Sequence, residues 1–372
     1  MPIVIQPTGR KIAFTMQTLY PLLTERRLVQ PIWGGTQLAA WLNLPQPRPE
    51  RLGETWQVYD QNVIRNGPLA GQTLAAATRD YGAALAGTRA VARYGADFPL
   101  LAKFIDAADR LSIQVHPDDA YAHSREAATG FHGKTEAWYI LSAAPGATVI
   151  YGLARPSSRA EFSAAIQSGQ VEALMQRLPV TAGHVVFVPA GTVHAVEAGI
   201  VLFEIQQKSD LTYRVYDYDR RDAVTGQPRA LHVEKSLDVM DYGPAPRGAI
   251  PPLALGAGRV LLVACPFFAL EAWTPAGLQD AATDPGTFEI LTVLDGAGTL
   301  QAGDSVTPLE RGLSVVLPAA LGAYGLRPAG GAALRLLRVT VPDLEHDYLR
   351  PLRAQGVGEA RLAQTIIRAE GE

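Results

Sequence analysis

A single cysteine, Cys265, stands among 372 residues. That excludes an intramolecular disulfide and a cysteine-based zinc finger, and it fits a reducing compartment. A surplus of either charge is also missing. The 33 basic and 36 acidic residues give a formal net charge of −3, so no broad basic field exists to attract nucleic acid. An anionic ligand would need a local cluster of Lys and Arg instead. Long apolar runs are absent too. The most apolar stretch, Val260 to Leu270, contains Pro266 and is too short to span a bilayer. The first residues, MPIVIQPTGRKIAFTMQ, are broken by Gln, Thr, Arg and Lys, which argues against a signal peptide. The expectation is a cytoplasmic protein with neither a membrane segment nor a nucleic-acid partner.

Turn chemistry is plentiful by contrast. With 35 Gly and 27 Pro, the chain is punctuated into short β-rich runs such as ATVIYGL (147–153), HVVFVPA (184–190), GIVLFEIQQ (199–207), LTYRVYDYD (211–219), RVLLVACPFFALEAW (259–273), TFEILTVLDG (287–296) and GLSVVLPA (312–319). Many short strands separated by turns predict a mainly β sandwich or barrel. Helical spacing interrupts this at about 68–95, 117–128 and 158–178. The second of these opens on Pro117 with two Asp, and the third on the capping pattern Ser158-Arg159-Ala160-Glu161, with Pro179 as its stop. Four prolines within 243–253 mark a linker and a domain boundary near 245, giving units 1–245 and 246–372. Across it runs a loose repeat. TEAWYIL and GHVVFVPAGTVH in the first half match FEILTVLDG and GLSVVLPAALGA in the second, as if one barrel occurred twice and the first copy carried the helical insertions.

Four residues of the first half form a pattern with metal chemistry. On a strand, Gln114 and His116 of SIQVHP point to one side, because residues two apart share a face. Glu136 lies in the next β run and His194 ends GHVVFVPAGTVH after a Pro-x-Gly turn. A lone histidine at a strand end is more often structural, and buried Gln and Glu usually serve hydrogen bonds. Together, two imidazoles, one carboxylate and one amide oxygen suit a borderline divalent cation with room for water or substrate. Among the other histidines, His123 reads as solvated and His132 as a candidate for the cleft wall. His184 faces away, while His232 and His346 have no partner pattern.

GHVVFVPAGTVH follows the second cupin motif, Gly-x5-Pro-x-Gly-x2-His, although Ala198 stands where that motif ends in Asn. Gln114-x-His116, an insertion and Glu136 resemble a variant of the first. With Trp33-Gly34-Gly35, Gly53-Glu54-Thr55-Trp56, Pro99 to Lys103, GKTEAWYI and EIQQKSDLTYRVYDYDR (204–220), the chain resembles the short bacterial type I mannose-6-phosphate isomerases. The resemblance is strong over about 18–240 and weak over 250–345. It implies two cupin (jelly-roll) barrels, the second degenerate and followed by a C-terminal tail.

It also implies a zinc enzyme, with one Zn2+ per chain on Gln114, His116, Glu136 and His194, that exchanges mannose 6-phosphate and fructose 6-phosphate through an enediolate. The implied catalytic residues are Lys134, Arg214 and Asp210, and the substrate-binding ones are Ser112 and Lys103. A hexose 6-phosphate is then the only partner, in a monomer or homodimer. Without the resemblance, the basic residues read instead as an Arg214–Asp210 ion pair and surface lysines. Departures from the pattern are Gln57, Lys208 and, in the second barrel, Ala320 and Ala323 at the places of Gly191 and His194. Two other classes fit the same barrels: a non-catalytic sugar-phosphate-sensing bicupin, and another metal cupin. For the latter an oxygenase is disfavoured by Gln114.

Overall fold

In the computed structural model of the chain, residues 18–221, 226–245, 247–330 and 333–368 are described. The N-terminal stretch read above against a signal peptide lies, through residue 17, outside them. The protein is mainly β. One six-stranded antiparallel sheet runs, in spatial order, Arg27–Val29, Glu54–Val58, Leu100–Ala107, Ile200–Gln207, Glu136–Ala143 and Val185–Val188. It faces a five-stranded sheet ordered Tyr213–Tyr216, Ile113–Val115, His194–Val196, Thr148–Leu153 and Met175–Pro179. Ile105, Trp138, Ile140 and Leu202 from the first meet Val149, Tyr151 and Val196 from the second, closing one barrel interior. The second half repeats the plan with a seven-stranded and a four-stranded sheet around Leu291, Val293, Leu300, Leu309 and Leu326.

The two large sheets also pack on each other through their outer faces. Phe104, Phe203, Ile205 and Val185 share a cluster with Phe268, Phe288, Ile290 and Val339. A strand covered on both faces must be apolar at nearly every position, which is why IVLF (200–203) reads as an unbroken run. The polar residues that follow it, Glu204 and Gln206, then fall on the face that looks into the barrel. The strand Leu22–Leu23 pairs with Ser314–Leu317, so the N-terminal segment reaches into the second half's sheet.

The helical insertions differ from expectation in extent. The 68–95 segment is three short helices, Leu74–Tyr81, Ala83–Ala86 and Thr88–Tyr94, preceded by a 3-10 turn at Gly67–Leu69. Gly82 and Gly87, at φ of 50° and 88°, separate the three, since the left-handed region cannot continue a right-handed helix. The 117–128 helix is Asp119–Arg125, capped by Asp118, which accepts from Tyr121 N at 2.8 Å. The 158–178 helix is Arg159–Gln167, capped by Ser158. Its expected last turns are instead a 3-10 turn, Val171–Leu174, and the edge strand Met175–Pro179, so Pro179 ends a strand rather than a helix. Only Tyr213–Tyr216 of LTYRVYDYD is a strand, and RVLLVACPFFALEAW is two strands, Arg259–Ala264 and Ala269–Trp273.

In the second barrel, Glu289 opens a strand as Glu136 does in the first. Ala323 is exposed; the inward side chain that meets Glu289 is its neighbour Tyr324, whose hydroxyl donates to the carboxylate at 2.7 Å. The registers also place Arg338 at the position of Glu204 and Glu271 at that of Lys103, an exchange of charge sign between the barrels. Arg338 bridges Glu289 at 2.7 Å and Glu271 at 3.1 Å, and Tyr348 donates to Glu271 at 2.7 Å. A closed ion network therefore stands where a ligand cavity stands in the other half. Arg338→Met leaves buried Glu289 without its cation, while Glu271 keeps Arg259 at 3.0 Å, and is expected to cost about 3–5 kcal/mol in urea unfolding. A loss under about 1 kcal/mol would show that the network does not hold this barrel together.

Candidate metal centre and its cavity

Neighbouring strands of the five-stranded sheet place Arg214, Gln114, His194 and Tyr151 in one cross-strand row. The six-stranded sheet supplies a facing row of Arg27, Trp56, Lys103, Glu204 and Trp138. Glu136 lies two residues from Trp138, on the same face. The Pro-x-Gly turn before His194 depends on Gly191, whose φ is +86° and whose N–H donates to His116 O at 2.9 Å. A side chain there would be strained and would press on Val239 O. The Trp33-Gly34-Gly35 and Gly53-Glu54 segments meet as backbone: a Cβ on Gly34 would sit 2.6 Å from Gly53 N. That close approach brings Trp33 and Glu54 to the cavity wall.

Both histidines are fixed by the protein backbone. His116 Nδ1 lies 2.9 Å from Leu211 O and His194 Nδ1 lies 2.8 Å from Thr192 O. A carbonyl only accepts, so each Nδ1 carries the proton and each Nε2 presents a lone pair. Burial, and then the Lys134 charge, push His116 well below the usual imidazole range and His194 down to about 3. Neutral imidazoles with an unprotonated Nε2 are the form a metal needs. Glu136 is buried and faces both rings, Oε2 at 3.6 Å from His116 Nε2 and Oε1 at 3.3 Å from His194 Nε2. Ligand atoms of His116, Glu136 and His194 all lie within 4.8 Å of one another.

Gln114 Nε2 is 3.3 Å from His194 Nε2, so a half-turn of the amide brings its oxygen to the same point. Glu136 Oε2 has no hydrogen bond, although the Lys134 ammonium is 2.6 Å away. Lys134 Nζ also donates to His116 Nε2 at 2.8 Å. A positive group thus already bridges two of the four donor residues, and the set fits a divalent cation once that ammonium withdraws.

Beside this cluster is a cavity of about 290 Å³. Gln114 and Glu136 reach its wall, whereas His116 and His194 are buried behind it. Lys103, Ser112, Lys134, Asp210 and Arg214, all expected from the sequence, line it. Lys103 and Lys134 are not surface lysines. Lys103 is buried between Glu204 at 3.2 Å and Glu54 at 3.4 Å. Burial alone would lower its pKa, but Glu204, Glu54 and Glu136 more than offset that and hold it charged. The alternative of an Arg214–Asp210 ion pair does not form among the described residues: Asp210 is exposed at the rim, and Arg214 Nε is buried without a hydrogen bond. Desolvation, and then the nearby Arg229, lower the Arg214 pKa, which marks a guanidinium short of anions.

Three residues noted in the sequence, among them the cleft-wall candidate His132, are not part of the cavity lining. Lys208 does not sit at the cavity; its ammonium is 2.6 Å from Asp97 and 3.5 Å from Asp60. Gln57 bonds Thr55 in the core. His132 does not line the cavity but pairs with Asp97.

Glu204, Glu54, Arg27 and Arg229 were missed as site residues. Glu204 left a usable signal, the one charge in the strand Ile200–Gln207. Burial and the adjacent Glu136 carboxylate push Glu204 up to about 7, even against Lys103 and Lys134. Arg229 lies in a loop beyond the last strand of the barrel, where no periodicity points inward.

Comparison with known proteins adds the following. Residues 23–140 match the sequence model of the phosphomannose isomerase type I catalytic domain, and 260–335 that of the mannose-6-phosphate isomerase cupin domain. The mannose-6-phosphate isomerase of Streptococcus mutans is 38% identical over 305 residues, covering 80% of this chain and 92% of the relative. Mannose-6-phosphate isomerase ManA of Bacillus subtilis is 35% identical over 323 residues, 83% of this chain and 96% of that one. Among solved structures, the mannose 6-phosphate isomerase from Bacillus subtilis superposes with a TM-score of 0.75 at 33% identity, covering 86% of this chain and 99% of its own. A zinc-bound mannose 6-phosphate isomerase, 18% identical, shares the fold with a TM-score of 0.67 over 86% and 98% of the two chains.

Proposed function

Because the chain belongs to the type I phosphomannose isomerase family, we propose that its cavity interconverts mannose 6-phosphate and fructose 6-phosphate with one zinc ion per chain on Gln114, His116, Glu136 and His194. The observation that carries this reading is that two neutral imidazoles and Glu136 meet beside a cavity also lined by Arg214, whose Nε is buried without a hydrogen bond among the described residues. A bound zinc ion supplies Lewis acidity toward sugar oxygens that become negative in the enediolate. One carboxylate among neutral donors leaves such a site positive, as that charge requires. The division of the chain near residue 245 belongs to the same reading, with the second barrel structural.

The chain's own residues do the rest. Arg214 offers a planar fork for the phosphate, and Arg27 and the Asp217-paired Arg229 also line the cavity. Trp33, Trp56 and Trp138 supply apolar surface against which the carbon chain can lie and from which water is excluded. Moving a proton between C1 and C2 needs a group that both takes and returns it near neutral pH. Glu204 fits: it is buried, lines the cavity and titrates at about 7. Lys103 and Lys134, 3.2 and 3.6 Å from its oxygens, orient it and stabilise its ionised form. In this reading Lys134 and Arg214 contact substrate, Ser112 lines the wall near Gln114, and Asp210 acts from the rim.

A coupled assay that follows fructose 6-phosphate made from mannose 6-phosphate tests the proposal. Zinc-loaded protein is expected to turn over at ordinary enzyme rates, about 1–10³ per second. Binding of the sugar phosphate without turnover would instead make the protein a sensing bicupin.

A further inference from the structure

A second group of metal-ligating side chains lies outside the cavity, on the insertion between the strands that carry His116 and Glu136. Asp119 and His123 are four residues apart on the helix Asp119–Arg125, hence on one face. His132 follows on the loop that leads to Lys134. Ligand atoms of the three fall within 4.8 Å of one another. His123 Nε2 is 3.1 Å from His132 Nδ1.

The second nitrogen of His132 is what distinguishes this from a chance surface cluster. Its Nε2 lies 3.1 Å from Asp97 Oδ2. Burial would raise Asp97, but hydrogen bonds from His132 and Lys208 outweigh it and keep the carboxyl ionised. An ionised carboxylate accepts, so His132 carries its proton on Nε2 and turns the bare Nδ1 toward His123. A carboxylate behind one imidazole nitrogen, with a ligand atom presented by the other, is the recurring support of protein-bound zinc. Tyr94 packs on the His132 ring, centroids 4.9 Å apart, and limits its rotation.

Asp119 is held as well. Its Oδ1 accepts from Gly133 N at 2.8 Å and from Gln207 Nε2 at 2.9 Å, leaving Oδ2 for a ligand. Tetrahedral bonds of about 2.0–2.2 Å put donor atoms about 3.3–3.6 Å apart. The two histidine nitrogens, at 3.1 Å, need to part by a few tenths of an ångström, and the Asp119 ligand atom already lies within 4.8 Å of both.

We propose that Asp119, His123 and His132 form a second site for a divalent cation of the zinc class, with a fourth position open to water. Such an ion ties the helix Asp119–Arg125 to the loop that carries Lys134. The site is independent of the metal centre in the cavity, with which it shares no residue.

The test counts zinc bound by tag-free, full-length protein in equilibrium dialysis. Wild type is expected to bind one equivalent more than His123→Ala. Asp97→Asn should keep that extra ion but bind it about 10–100-fold more weakly. His123→Gln keeps a polar side chain and should lose the ion as well, which separates loss of a ligand from loss of the helix. His116→Ala removes a donor only from the cavity centre and must leave the extra ion in place, so failure of the functional reading and failure of this one are distinguishable. Equal zinc in wild type and both His123 variants overturns the proposal and reduces the His123–His132 contact to a hydrogen bond.

Discussion

His116→Ala and Glu136→Ala are each expected to lose bound zinc and isomerase turnover together, with kcat lower by about 10³-fold or more. The two losses are coupled by the geometry. Both side chains are about 1% exposed and approach to 3.6 Å, and Glu136 faces both imidazoles. Removing Glu136 deletes the only carboxylate of the donor set and leaves Lys134 without its 2.6 Å partner, so a cation is less able to bind the remaining neutral donors. Removing His116 frees the Leu211 carbonyl and deletes a lone pair that nothing nearby replaces. Zinc content by elemental analysis and the coupled assay, run on the same samples, check this. Full activity in a zinc-free variant would refute the mechanism.

Glu204→Gln is expected to lower kcat/KM by about 10²–10⁴-fold, the usual range for a lost acid–base group, with metal content unchanged. In the unsubstituted enzyme kcat/KM should fall about tenfold for each pH unit below the Glu204 pKa, because the proton-accepting form disappears there. A dication on Glu136 lowers that pKa, so the limb lies at or below about 7 in the zinc-loaded enzyme. Residual activity of Glu204→Gln should lack the limb. A variant with normal kcat/KM and the same acid limb would remove Glu204 from the chemistry.

Stability of metal-free protein gives an independent reading of the same carboxyl. Its folded pKa, about 7, exceeds the ordinary value of 4.5, so between these the folded chain keeps a proton that the unfolded chain has released. The contribution is full below about 4.5 and is lost as pH rises through about 7. Glu204→Gln should flatten unfolding free energy across that window.

How much of this was legible beforehand depends on the kind of residue. The four side chains proposed as metal donors were, because alternation on a strand and the Pro-x-Gly turn before His194 are local features; ligand atoms of His116, Glu136 and His194 lie within 4.8 Å of one another, and Gln114 Nε2 is 3.3 Å from His194 Nε2. The strand runs were legible for the same reason. Helix ends were less so: alanine-rich spacing over 70–95 continues through Gly82 and Gly87, where the backbone turns left-handed. Met175–Pro179 became a strand because it pairs with Thr148–Leu153, a partner that helical spacing does not register.

The sequence alone determined the β-rich plan, the boundary signal near 243–253, the candidate donor set and the absence of an intramolecular disulfide, since these follow from residue type and short-range spacing. Tertiary structure decided which charges face one another. Lys103 meets Glu204 across a strand pair some hundred residues apart, while in the second barrel the equivalent pair is Glu271 and Arg338. Whether a buried charge is neutralised or left to act depends on the side chains that antiparallel register sets opposite it, and on the water that packing removes. That is why Arg214 emerged free of Asp210, Lys208 emerged tied to Asp97, and Glu204 became the carboxyl poised near neutrality.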